Sequence, residues 1–374
     1  MSPTSAGSSV IPGPISSDLL IIGGGILGLS TACEALSRGI SVTLFDQAPE
    51  RSATLAAAGM LSPYAESIET PFLQELMKQG RVSYPAYVAR LEEISGVRIE
   101  LAFPGTLLPS VVETDGARLQ STAERFADIG ARARYLDPTD LAADEPRLGP
   151  IAAGAVLLED EGYVNPQTLH TALRAGFERL GGEWIPLHGL GLAVRQQRVI
   201  GVETANGLVL GGAVLNASGA GADRFLLPED QERYRARPVR GQAIRLRPPR
   251  AADGIRRVIQ LPGTGYLVPR ADGSVIAGAT SEAVGPFPGL TAEGIHAVLA
   301  GAIRLVPSAR NWSFVEAWSG LRPLAGEGEP VIAPDARPGL FHGLGLYRHG
   351  ILLAPVAATR LAKMITDYLG KSGS

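Results

Sequence analysis

The sequence predicts an α/β chain, α+β when taken whole, in which a Rossmann-like nucleotide-binding domain is joined to a second domain of antiparallel strands. Three observations carry this expectation. A strand-helix-strand pattern with glycines at its turn opens the chain after residue 17. An alternating hairpin pattern lies beyond the middle. A length of 374 residues with 45% hydrophobic content exceeds what one core usually serves.

The opening unit is readable locally. D-L-L-I-I (18–22) is a short buried-strand run, residues 26–38 carry helical periodicity that stops at Gly39, and I-S-V-T-L-F (40–45) is the next strand, closed by Asp46. Residues 1–17 are rich in Ser, Pro and Gly, lack the charged start and apolar run of a secretory signal, and read as a disordered leader. Further on, residues 72–95 and 117–130 read as amphipathic helices, with the breaker-rich patch F-P-G-T-L-L-P-S between them. Asn165 and Pro166 start another helix, which a double glycine ends, and three strand runs lead to Gly219. Y-L-V-P-R and S-V-I-A-G-A, joined across A-D-G, give the hairpin, and a helix from about 350 to 369 finishes the chain.

Composition excludes several function classes. A net charge of -3 gives no global reason to expect nucleic acid or an anionic membrane as partner. The longest apolar stretches are too short or too broken to span a bilayer. Cys33 is the one cysteine, so there is no disulfide framework, and a reducing cytoplasmic setting is expected. The five histidines show no metal-ligand spacing, and no metal is expected. Nine arginines in residues 233–257 face a single acid, Asp253, with Tyr234 the one aromatic among them, which reads as a solvated or subunit-facing surface.

Gly23, Gly25 and Gly28 form G-x-G-x-x-G between strand and helix, with Asp46 18 residues after Gly28. The first glycine makes the tight turn, the second lets a pyrophosphate approach the backbone, and the third packs helix on strand. The helix N-terminus faces the phosphates with its partial positive charge, and the Asp46 carboxylate accepts the ribose hydroxyls. FAD and NAD both fit this pattern. Three further segments favour a flavin: A-A-A-G-M-L-S-P (56–63), whose small residues let a flat ring approach; V-L-N-A-S-G-A-G-A-D (214–223), a strand ending beside the nucleotide; and G-L-G-L-Y-R-H-G-I-L-L-A-P (343–355), a glycine-rich loop before a helix.

Together with W-S-G-L-R-P (318–323) and G-Y-L-V-P-R-A-D-G-S-V-I-A-G-A-T-S-E (265–282), these segments resemble the glycine oxidase branch of the D-amino acid oxidase family, collinearly from about 18 to 369. The resemblance implies a discontinuous FAD-binding domain (18–80, 150–222 and 320–370) and a substrate-binding domain on an antiparallel sheet (81–149 and 223–319). It implies non-covalent FAD held by Gly23, Gly25, Ile26, Leu27, Gly28, Asp46, Gln47, Ala53, Thr54, Ala58, Gly59, Met60, Leu190, Leu346, Tyr347, Arg348, His349, Gly350, Ile351 and Leu352. Arg322, Tyr266, Arg348 and Thr264 match the substrate-contacting positions. Asp46 stands where many relatives have Glu, and Thr264 where some have histidine.

In such enzymes the flavin takes hydride from the substrate Cα and passes the electrons to O2, so no protein nucleophile or strong base is required. Orientation dominates: Arg322, set between apolar neighbours, is expected to grip a carboxylate bidentately, with the Tyr266 hydroxyl beside it. The implied function is oxidative deamination of glycine, sarcosine or a small D-amino acid to the imine and 2-oxo acid, with H2O2 formed; in relatives the imine feeds thiamine thiazole assembly. A small amino acid and O2 are the expected partners, with no nucleic acid or membrane, in a homo-oligomer. Two alternatives stay open: an amino acid dehydrogenase with a non-O2 acceptor, and an RNA-modifying flavoprotein using residues 233–257. Arg322 also has internal acids within reach in sequence, Glu316 and Glu327.

Overall fold

In the computed structural model, residues 16–47, 52–66, 70–149, 153–227, 230–326 and 328–372 are described. The expected leader lies outside them except for Ser16 and Ser17, which begin the first strand, Ser16–Ile22. That strand is apolar and buried from Leu19 to Ile22, as a central parallel strand must be. It pairs in parallel with Val42–Phe45 on one side and Gly207–Asn216 on the other. Glu183–Ile185 adds beyond Val42–Phe45, also in parallel. The strand Gly207–Asn216 changes partner along its length: its first half pairs antiparallel with Arg198–Thr204, and its end pairs in parallel with Leu340–Leu344.

The helix Ile26–Leu36 has no side-chain cap and no charge in its first turn. A cap contributes only about 1 kcal/mol, whereas burying each of Ile26, Leu27 and Leu29 contributes roughly 1.5–3 kcal/mol. Burial therefore holds this helix, and its N-terminal face is left to other use. It packs in one core with Pro71–Ser95, Pro166–Arg179 and Gly350–Ser372. Gly80 lets two of these helices touch: a Cβ there would sit 2.3 Å from the Leu352 carbonyl oxygen.

The second sheet has eight strands, ordered from Ser313–Ala325 through Ala236–Arg247, Val275–Gly278, Gly265–Pro269, Val258–Leu261, Thr106–Pro109 and Ala155–Leu158 to Ala133–Leu136. Its neighbours are antiparallel except where Val258–Leu261 meets Thr106–Pro109. The helix Ala292–Leu305 covers one face. A three-stranded sheet of Met60–Leu61, Gly162–Val164 and Leu101–Ala102 bridges the two halves.

The described elements gather around two large sheets, each with its own core. Residues 81–95 belong to the first core, because Tyr84, Val88 and Leu91 pack there. Ala155–Leu158 and Ser313–Ala325 belong to the second sheet, because their backbones pair there. The breaker-rich patch contains the strand Thr106–Pro109, paired on both sides, where tertiary pairing overrides local propensity. Cys33 is a core residue whose thiol burial pushes up to about 12. Among the described residues no helix is long and apolar enough to cross a membrane.

The arginine segment is an internally paired lattice. Arg235 meets Asp223, Arg240 meets Glu282, Arg245 meets Glu316, Arg247 meets Asp272, Arg250 meets Asp253 and Arg257 meets Asp144. Most of the compensating acids come from other strands and turns, which is why the segment looked uncompensated in one dimension.

The turn after Ala155–Leu158 buries Glu161, whose Oε1 accepts from the Tyr64 and Ala65 backbone N–H groups at 2.8 and 3.0 Å. Burial raises its pKa from the usual 4.5 to about 7, against the pull of those two hydrogen bonds. A carboxyl with a raised folded pKa contributes stability that is complete below its ordinary value and is lost as pH rises through the folded one. The protein should therefore lose stability between about pH 4.5 and 7 through this group. Glu161→Gln should flatten that part of the curve, checked by chemical denaturation at pH 5 and 7.5; an equal slope in the variant would refute the assignment.

Candidate active site

The turn after the first strand shows what each glycine does. Gly23 has φ +107, and a Cβ there would lie 2.4 Å from the Ala217 carbonyl oxygen. At Gly28 a Cβ would lie 1.9 Å from the Gly23 oxygen, so this glycine seats the helix on the strand. At Gly25 a Cβ would meet only Thr54 Oγ1, at 3.4 Å, so this face opens into the cavity. Around the turn, Gly24 N–H donates to Asp46 Oδ2 at 2.7 Å and Ile26 N–H donates to Thr54 Oγ1 at 2.8 Å.

From this turn a cavity of about 680 Å³ runs to the second sheet. Its far wall is A-A-A-G-M, held by two hydrogen bonds from the other half of the molecule. Trp318 Nε1 donates to the Ala56 carbonyl at 3.0 Å, and an Arg270 terminal nitrogen donates to the Ala58 carbonyl at 2.6 Å. Gly320 makes the approach possible, since a Cβ there would lie 2.4 Å from Ala56 Cβ. The loop from Gly343 to Arg348 forms another wall, with Tyr347 in the left-handed region at φ +46 and its N–H bonded to the Pro323 carbonyl at 3.0 Å. Helix Gly350–Ser372 starts there.

Arg322 reaches the cavity from strand Ser313–Ala325. Its guanidinium donates to the Thr280 carbonyl at 3.1 Å and the Arg240 carbonyl at 3.4 Å, and it lies over Gly241, where a Cβ would come within 2.3 Å. Among the described residues no carboxylate is paired with it: Glu316 is engaged with Arg245 at 2.8 Å, and Glu327 lies outside those residues. Tyr266 faces the same space over Gly278, its hydroxyl pKa raised by burial against the pull of Arg322. Thr264 lines the cavity at the turn before it.

Arg348 also lines the cavity, with its Nε 2.8 Å from Glu66 Oε2. His349 Nδ1 stands 3.4 Å from the same oxygen, and burial together with Arg348 lowers its pKa to about 4, so it is neutral at pH 7.

Most of the expected residues meet here: Gly23, Gly25, Ile26, Leu27, Asp46, Ala53, Thr54, Ala58, Gly59, Met60, Leu346, Tyr347, Arg348, Gly350 and Ile351 line the cavity with Arg322, Tyr266 and Thr264. Five stand off its wall. Gly28 packs beneath the turn, and Gln47 is exposed beyond Asp46. Leu190 is 59% exposed on an outlying strand, His349 faces Glu66, and Leu352 is buried against Gly80. Sequence reasoning missed Glu66, whose partner Arg348 is distant along the chain. It also missed the juxtaposition of Asp230, Asp335 and His342, whose potential ligand atoms lie within 4.8 Å of one another and whose His342 Nε2 to Asp335 Oδ2 distance is 2.7 Å.

Residues 18–364 match the model of the FAD dependent oxidoreductases. The chain belongs to that family. It is 34% identical over 357 residues to the bifunctional protein ThiO/ThiG of Nostoc sp., covering 94% of this chain and 53% of that protein. The chain thus spans about half the length of the bifunctional relatives it matches. It is 31% identical over 359 residues to the glycine oxidase of Pseudomonas aeruginosa, covering 94% and 95% of the two chains. The crystal structure of glycine oxidase from Geobacillus kaustophilus superposes with a TM-score of 0.88 at 28% identity, over 94% of this chain and 95% of that one.

The family's FAD fits the residues present. The open face of Gly25 and the bare backbone of Gly219 and Gly221, where an added Cβ would meet nothing within 4 Å, give the close approach a pyrophosphate needs. Ala56 to Met60 offer a flat wall of small side chains. Because the Arg322 guanidinium occupies the space above Gly241, Gly241→Ala should displace it. FAD content should stay normal while acetate binds at least tenfold more weakly, read from perturbation of the flavin absorption spectrum. Unchanged acetate affinity would show that the guanidinium is not the anion site.

Proposed function

We propose that this protein oxidises glycine or a similarly small amine, such as sarcosine or a small D-amino acid, to the imine, which hydrolyses to the 2-oxo acid and ammonia or amine. The observation that carries this reading is Arg322, a cation in the cavity with carbonyl contacts only and no carboxylate paired with it among the described residues. A substrate carboxylate supplies the missing anion in a bidentate grip, and the Tyr266 hydroxyl adds a hydrogen bond. That grip directs the substrate Cα toward the A-A-A-G-M wall. When bound, FAD accepts the hydride and passes the electron pair to O2, giving H2O2. The neutral amine is the form that reacts. The names of the ThiO/ThiG relatives support a further role for the product, as a supplier to thiamine thiazole assembly.

Glycine added without air should bleach the flavin absorbance, and in air it should yield glyoxylate, ammonia and peroxide. Electron transfer to an artificial acceptor without peroxide would point instead to a dehydrogenase. Arg322→Ala should keep fold and FAD while raising KM or abolishing turnover; loss of the fold would make Arg322 a structural cation. Tyr266→Phe should weaken substrate binding by about 0.5–1.5 kcal/mol, the net value of a typical hydrogen bond, seen as a rise in KM.

A further inference from the structure

Among the described residues two arginines line the cavity; both draw on the charge of Glu66, and one of them is in direct contact with it. Arg322 touches only carbonyl oxygens, whereas Arg348 lies against a carboxylate that lines the same cavity. Glu66 is 9% exposed, and the backbone just before it is fixed by the two hydrogen bonds to Glu161. Its contact with Arg348, at 2.8 Å, is an ion pair without an aligned hydrogen bond. His349, the third member of the group, is neutral and leaves this balance unchanged.

The geometry points to Glu66 as a charge filter: by neutralising Arg348 it leaves Arg322 to receive one anionic group and rejects substrates that carry a second. The inference deepens the proposed function and rests on its placement of a substrate carboxylate at Arg322. A second carboxylate reaching toward Arg348 would meet a cation already paired and a buried like charge beside it. Like charges juxtaposed at a binding site cost about a hundredfold or more in affinity. Monoanionic amino acids, in which the amine is the only other polar group, avoid this cost. Glu66 is thus a positioning and selectivity residue, and it takes no part in moving the hydride.

Acetate and malonate test the filter without turnover. Each is titrated into the FAD-loaded protein at pH 8, where malonate is a dianion, and binding is followed by the flavin absorption spectrum. Native protein should bind acetate at least tenfold more tightly than malonate. Glu66→Gln should shift the ratio at least tenfold toward malonate, and adding Arg348→Met to that variant should abolish the gain. Should Glu66→Gln fail to yield FAD-loaded protein, Glu66→Asp, which keeps the charge and retracts it by one methylene, should still shift the ratio at least threefold. A ratio unchanged by either substitution, a gain that survives loss of Arg348, or native protein that prefers malonate would overturn the inference. A purely structural role for Glu66 would weaken both ligands equally. Failure of the glycine reading shows separately, as absent flavin bleaching by glycine in the native protein.

Discussion

The site depends on one contact between the halves of the molecule, the seating of Gly320 against Ala56. Strand Ser313–Ala325 carries Trp318, Gly320 and Arg322 along one edge of the second sheet. Any side chain at Gly320 would collide with Ala56, so the strand and the A-A-A-G wall meet at backbone distance. Trp318 then fixes the wall by its indole N–H, and Arg322, two residues past the glycine, is brought to the cavity. The same strand ends where the Pro323 carbonyl receives Tyr347 N–H, which ties the C-terminal loop to the seam. The A-A-A-G wall, Arg322 and the C-terminal loop are therefore positioned by one seam between the two halves.

The electrostatics follow a consistent division. The arginines around residues 233–257 are compensated mainly by acids from elsewhere in the chain, and they hold the second sheet together at its turns and edges. Isolated surface pairs of this kind contribute little each, so their value lies in leaving few charges unmatched. Against that background an arginine bonded only to carbonyls carries information, because a buried or half-buried guanidinium without an anion is costly. Carbonyl contacts from Thr280 and Arg240 offset part of that cost and aim the fork while leaving donors for a ligand.

What was legible in the sequence was what is encoded locally. The turn at Gly23 to Gly28, the helix behind it and Asp46 fall within one short stretch, and each glycine has the steric reason its spacing implies. The hairpin of Gly265–Pro269 and Val275–Gly278 was legible for the same reason. The pairing of Ala236–Arg247 with Ser313–Ala325 was not, since nothing in either run names a partner so far along the chain. Glu66 was invisible as a functional group for a related reason. Its meaning comes from its pairing with Arg348 and from its own burial, and neither property has a sequence pattern. Leu190, assigned by resemblance as a backbone contact, has its side chain in solvent and lies off the cavity wall.

The change of partner along Gly207–Asn216 has a consequence for the order of assembly. The end of this strand, which leads into Ala217–Gly221 at the cavity, is flanked in parallel by Ser16–Ile22 and Leu340–Leu344. One flank precedes this strand in the chain and the other follows it. Until residues past 340 emerge, Val214 to Asn216 present an unpaired edge, and such edges invite mispairing while the chain waits. Pairing of this sequence separation is intrinsically slow. The nucleotide cleft thus closes only after residues past 340 have joined it, and a nascent chain that already has the strand, helix and glycine turn around residues 16–36 still lacks the pocket they announce.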